Sequence, residues 1–230
     1  MECTPRRRRA LTSLGMVCTI CMAATMTVSG CVATKPSYVL YDKADHHIDL
    51  GQYEEAAACY DEVLLNYPGD WRAQYGLGVC SMEIGDYRTA RRALDTARTL
   101  RPGNEEIVDA LCETMYQQDD EQSLYELLAE ECDARQSVRA HLRKAKYMAR
   151  VADPDSAKVA INTAIAIDAG QTVEPYLEAA DFAEEVGDID LAIRRLRQAY
   201  GIAPGDDRVS ERLVALGEIP GPTLVLPPGV

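Results

Sequence analysis

The feature that most constrains this chain is a 34-residue recurrence whose clearest copy, WRAQYGLGVCSMEIGDYRTARRALDTARTLRPGN, runs from Trp71 to Asn104. Two amphipathic segments lie in it, separated by Gly85-Asp86-Tyr87 and closed by Pro102-Gly103. Tyr75, Leu77, Gly78 and Met82 give the first a face interrupted by small residues. In the second, Ala90, Ala93, Leu94, Ala97 and Leu100 recur at three- and four-residue steps, so both halves read as helices. A unit of this size cannot bury its apolar face alone; stacked copies bury a continuous one. Composition agrees, because a chain with 47% hydrophobic side chains but one Phe and one Trp suits helices packed on helices through Ala and Leu.

Displaced back by one period, the template places Gly51, Tyr53, Ala56, Tyr60, Val63 and Pro68 on Gly85, Tyr87, Ala90, Leu94, Ala97 and Pro102. Forward, the third copy keeps Leu111, Leu124 and Leu128 but has Asp119 and Glu121 where Gly and Tyr stood. The fourth returns with Ala157, Ile161 and Ala164, and Asp153-Pro154 marks its inner turn, since Pro is well tolerated at a helix start. The fifth has Gly187, Ile189, Ala192, Leu196, Ala199 and Pro204. The repeats are therefore placed at 37–70, 71–104, 105–137, 138–172 and 173–206. A half-polar capping helix at 207–217 carries Val209, Leu213 and Leu216 on one face, as solenoid ends need for solubility. The tail 218–230, with four prolines and no helical period, is expected to be disordered, the alternative being that Thr223 to Leu226 docks as an extended strand.

Leu77-Gly78, Ala90, Leu94, Ala97 and Pro102 resemble the tetratricopeptide repeat, although Gln74 and Ser81 stand where that family often has Trp and Tyr. The resemblance implies an all-α, right-handed superhelical solenoid of helix-turn-helix units whose first helices line a concave, protein-binding groove. It also places Tyr38, Tyr41, Tyr75, Met82 and Tyr116 at groove-facing positions. Tyr and Met are common anchors at interfaces; the alternative is that some of these rings close the seams between helices.

Within the first helix of the fourth repeat, Arg139, Arg143, Lys146 and Arg150 fall at i, i+4, i+7 and i+11, one basic stripe in a chain of formal net charge −13. One reading is a clamp for acidic groups or a terminal carboxylate of a partner, using Arg as a forked donor. The other, which we prefer, is an inter-repeat ion-pair ladder. Thirty-five residues on, Glu174, Glu178, Asp181 and Glu185 form an acidic stripe of identical spacing, and on the other side Glu106 and Glu113 hold two matching positions.

Arg6 to Arg9 precede an uncharged stretch from Ala10 to Cys31 that ends Val28-Ser29-Gly30-Cys31. This is the layout of a secretory signal, and its ending resembles the bacterial lipobox. The resemblance implies cleavage after residue 30, acylation of Cys31 and a short linker, 31–36, that reaches only ~20 Å. The competing reading is an uncleaved membrane-spanning anchor. A lipidated protein would be exported and held at the outer membrane if the organism has two membranes, and otherwise at the outer face of the cell membrane.

The acidity excludes a nucleic-acid partner, which needs a basic footprint. No Ser/His/Asp set, phosphate-cradling Gly loop or zinc-spaced Cys/His motif occurs after Cys31. Catalytic residues, metals and cofactors are accordingly expected to be none. His46-His47 suits packing or solvation better than metal binding. Cys59 and Cys112 fall where the repeat wants a small buried group, so these two and Cys80 and Cys132 are read as buried thiols rather than disulfides. The expected function is a membrane-anchored, non-catalytic scaffold that holds a protein or peptide partner in the cell envelope. The competing classes are an enzyme without a recognisable motif and a cysteine-based redox or metal module.

Overall fold

The computed structural model describes residues 36–229. They form α1 (Ser37–Asp49), α2 (Tyr53–Asn66), α3 (Trp71–Ile84), α4 (Tyr87–Leu100), α5 (Glu105–Gln117), α6 (Glu121–Arg135), α7 (Val138–Arg150), α8 (Pro154–Asp168), α9 (Glu174–Glu185), α10 (Ile189–Ile202) and α11 (Asp207–Ala215), and no strand occurs among the described residues. Each helix packs on the next in sequence, and α3, α5, α7 and α9 also touch in series, so the helical repeats stack into a solenoid. The lipidation and signal features, Cys31 included, lie outside the described residues.

Local chemistry sets the boundaries. Asp70, Asp86, Asn104, Asp120, Ser137, Asp153, Asp188 and Asp206 each cap a helix by accepting a backbone N–H of its first turn. The turn inside every helix pair carries one left-handed residue: Gly51, Gly85, Asp119, Ala152 and Gly187. Only three of these are Gly. At Asp119 (φ 54°) and Ala152 (φ 60°) the stacked helices impose a conformation that costs a side chain roughly 1–2 kcal/mol.

Small residues mark close approach. Ala44, Ala56, Ala73 and Ala90 are fully buried. A Cβ on Gly78 would lie 2.5 Å from Leu94 Cγ, and one on Gly76 would enter the Tyr60 ring. Three clusters make the core: one around Leu40, Tyr60 and Val63, one around Leu94, Leu111, Leu124 and Met148, and one around Ile165, Tyr176, Leu196 and Leu213. Cys59, Cys80, Cys112 and Cys132 are all free and buried. Burial first, with Glu83 and Cys59 adding, pushes the Cys80 thiol up to about 11. Burial likewise takes Cys112 to about 12, so both behave as small apolar groups.

The C-terminal tail departs from expectation: up to Gly229 it is packed rather than disordered. Leu224 is buried in the core cluster of α9, α10 and α11; Leu226 N donates to Arg197 O at 3.3 Å, and Arg197 Nε donates to Leu224 O at 2.9 Å. Gln198 Nε2 donates to Pro227 O and Gly229 O, and Arg195 Nη1 donates to Gly229 O. Two glycines make room, since a Cβ on Gly201 would lie 2.6 Å from Leu226 O and one on Gly170 2.6 Å from Pro228. Prolines and missing helical period exclude an α-helix, leaving a single 3-10 turn at Pro222–Leu224, yet they leave backbone carbonyls free, and polar side chains of α10 bond to these.

Candidate protein-binding groove

The basic stripe is built into a ladder, and the ladder runs toward α5. Arg143, with 3% of its side chain exposed, bonds Asp109 Oδ1 through Nε at 2.5 Å and Glu105 through Nη2. Arg139 Nη2 lies 3.0 Å from Asp109 Oδ2. Arg150 forks onto Glu113 with distances of 2.5 and 2.9 Å, and its guanidinium lies 3.8 Å from the centre of the Tyr116 ring and 5.2 Å from that of Tyr147. The Tyr147 hydroxyl donates to Glu113 Oε2 at 3.1 Å. The Arg150 hydrogen bond, aided by Gln117 and Tyr147 against partial desolvation, holds the Glu113 carboxyl down to about 2. A guanidinium buried between two carboxylates adds little net stability but is costly to break, so it specifies helix register.

This corrects the expected partner. Among the described residues no ion pair joins the α7 stripe to Glu174, Glu178, Asp181 or Glu185. Residues at equivalent positions of neighbouring, similarly oriented helices point the same way, so stripes of identical spacing cannot meet face to face. Pairing requires the back-facing flank of one helix and the forward-facing flank of the preceding one. On α5 that flank is Glu105, Asp109 and Glu113, at i, i+4 and i+8. The same device recurs where α11 meets α9: Arg208 Nη2 lies 3.5 Å from Glu174, and Arg212 reaches Asp181 and Glu184 at 2.6 Å each. Arg208 and Arg212 are the second and sixth residues of α11, as Arg139 and Arg143 are of α7. Arg143 and Arg150 are thus engaged within the chain, whereas the Arg139 side chain is 61% exposed and Lys146 forms no ion pair among the described residues.

The aromatic candidates divide. Tyr38 is 65% exposed. Tyr41 is partly buried, edge-on to Tyr60 at 5.9 Å. Tyr75 and Tyr116 pack against the middle core cluster, and the Met82 sulfur accepts the Thr114 hydroxyl at 3.6 Å. Burial, then Glu106 and Asp109, raises the Tyr75 hydroxyl. Tyr75, Met82 and Tyr116 thus serve seams between helices, and Tyr38 remains open.

A cavity of about 200 Å³ opens at the seam between α7 and α9, floored by Ala145, Ala149, Ile161 and Phe182 and rimmed by Lys146, Arg150, Glu178, Asp181 and Glu185. Partial burial first, then Asp181 and Glu185 against the opposing pull of Lys146 and Arg212, raises the Glu178 carboxyl above its ordinary value. The basic stripe and its acidic counterpart therefore share this seam across an opening rather than as bonded pairs. Phe182 and the seam itself are not apparent from the charge pattern; the signal was the 35-residue step from Tyr147 to Phe182.

Residues 41–105 match the family model for the tetratricopeptide repeat. A thermophilic tetratricopeptide repeat protein of Thermus thermophilus aligns with TM-score 0.54 at 18% identity, over 79% of this chain and 98% of that one. MamA of Desulfovibrio magneticus RS-1 aligns with TM-score 0.54 at 15% identity, over 74% and 97%. A tetratricopeptide repeat protein of Parabacteroides merdae ATCC 43184 aligns with TM-score 0.55 at 14% identity, over 81% and 73%. At these identities the likeness is one of fold. The described residues have the helical-repeat solenoid fold of tetratricopeptide repeat proteins, and residues 41–105 also carry the sequence signature.

Proposed function

We infer that the chain is a non-catalytic scaffold that binds a protein or peptide partner along its first helices while Cys31 anchors it by lipid in a bacterial cell envelope. The observation that carries the binding half is the α7–α9 seam, an apolar-floored opening on the first-helix side of a repeat fold whose family mediates protein–protein interaction. Between α5 and α7 the first helices are bonded to one another; here they present an unfilled surface. Support for the anchor is the sequence Val28-Ser29-Gly30-Cys31 after an uncharged stretch and four arginines. Acyl chains on that Cys would hold the protein stably at a membrane, and the short linker would keep α1 near it. Among the described residues no helix is long and apolar enough to cross a membrane.

Cys31→Ser is expected to move the protein from the membrane fraction to the soluble fraction. In-cell photo-crosslinking from Lys146 or Glu178 should trap a discrete partner. A Cys31→Ser protein that stays membrane-bound with its signal segment still attached, or crosslinking that yields only a diffuse background, would overturn the corresponding half of the reading.

A further inference from the structure

The cavity between α7 and α9 is the space that an arginine fills one repeat earlier. Between α5 and α7, Arg150 lies over the Tyr116 ring and beside that of Tyr147, with its fork on Glu113. Stepping each of these positions on by one repeat gives Ala149 for Tyr116, Phe182 for Tyr147, Glu185 for Arg150 and Lys146 for Glu113. The aromatic wall is kept on one side, the other wall is cut back to a methyl group, and the guanidinium is replaced by a carboxylate. What remains is an opening floored by Ala145, Ala149, Ile161 and Phe182.

Charge singles out what can enter it. At the flanking seams the back-facing arginines Arg139, Arg143, Arg208 and Arg212 satisfy acids of the preceding first helix. At this seam the corresponding α9 residues are Glu174 and Glu178, and no arginine reaches forward to them from α7. Asp181 is held by Arg212 at 2.6 Å. The Arg150 guanidinium on the rim is held by Glu113, while Glu178 and Glu185 form no ion pair among the described residues and share one ammonium, Lys146, which also forms none. Two carboxylates against one lysine leave excess negative charge beside an aromatic face, an arrangement that favours a planar cation.

We propose that this cavity receives an arginine side chain from an extended segment of the partner, its guanidinium over Phe182 and forked between Glu178 and Glu185. The partner thus supplies in trans the arginine that the neighbouring seams carry within the chain. This rests on the protein-binding reading above and names the side chain that the groove selects.

Phe182 is the only phenylalanine in the chain, so biosynthetic 4-fluorophenylalanine gives the full-length protein a single fluorine resonance inside the cavity. The probes are the blocked peptide acetyl-Ala-Ala-Arg-Ala-Ala-amide and its citrulline and lysine analogues. The arginine peptide should shift the resonance saturably, with at least tenfold weaker response to citrulline, which keeps the shape and loses the charge. Glu178→Gln with Glu185→Gln should abolish the shift at unchanged helicity. Lys146→Glu with Ala149→Tyr and Glu185→Arg, which rebuilds the filled seam, should abolish it while holding or raising the melting temperature. Absence of a saturable shift, or an equal response to the citrulline or lysine peptide, overturns the proposal. The two readings separate in the crosslinking experiment. A partner trapped equally by wild type and by the double glutamine variant leaves the scaffold standing and sinks the arginine pocket, whereas no partner with wild type sinks the scaffold itself.

Discussion

Replacing Glu113 by Gln removes one carboxylate from the α5–α7 ladder while preserving its size, and the structure dictates how the loss should depend on pH. In the folded chain the Arg150 fork holds this carboxyl down to about 2, against an ordinary value of 4.5. A folded-state value below the unfolded one means that the ionised form stabilises the fold. That contribution is complete above pH 4.5 and disappears as pH falls through 2. A difference of this size corresponds to at most ~3 kcal/mol. With 26% of the side chain exposed, solvent screening reduces the expectation to ~1–2 kcal/mol. The assay is urea unfolding of wild type and Glu113→Gln between pH 7 and pH 2. Wild type should exceed the variant by ~1–2 kcal/mol at pH 7, and the two should converge at the acid end. Other carboxylates titrate alike in both proteins, so the difference curve isolates Glu113. A difference that stays constant across the range, or that grows on acidification, would refute the account of the ladder.

Two further outcomes are expected. Thiol titration should find four fast-reacting cysteines beyond Cys31 in denaturant and almost none in the native protein at pH 8, given the burial of Cys59, Cys80, Cys112 and Cys132; a protein with fewer than four thiols after unfolding would point to a disulfide. Gly201→Val should expel the tail, because its Cβ has to occupy the place of the Leu226 carbonyl. Uncovering Leu224 should cost ~2 kcal/mol and open residues 218–229 to limited proteolysis, and unchanged protection of the tail would disprove the docking geometry.

Much of the fold was legible because its causes are local. The 34-residue period, the Ala and Gly positions and the turn residues report which faces must approach closely, and close approach limits side-chain size whatever the surroundings. The third and fourth repeats show the limit of that legibility. Asp119 and Ala152 give no glycine signal, yet both adopt the left-handed turn because stacked neighbours fix the helices on either side. The candidate site was half legible. The basic stripe on α7 and the acidic stripe on α9 stood out by spacing, but spacing carries no information on which flank of a helix faces forward and which faces back. Glu113 was among the expected ladder positions, but Glu105 and Asp109, rather than Glu106, became partners through helix rotation.

The sequence by itself determined an all-helical repeat chain and the burial of its cysteines as small groups, because periodicity and side-chain volume act within one or two turns of helix. Only the tertiary structure decided that Arg139, Arg143 and Arg150 pair with α5, that the seam to α9 stays open over Phe182, and that a proline-rich tail is held by Arg195, Arg197 and Gln198. Each of those depends on contacts between residues 27 or more positions apart, whose relative orientation is set by helix packing and not by any pattern along the chain.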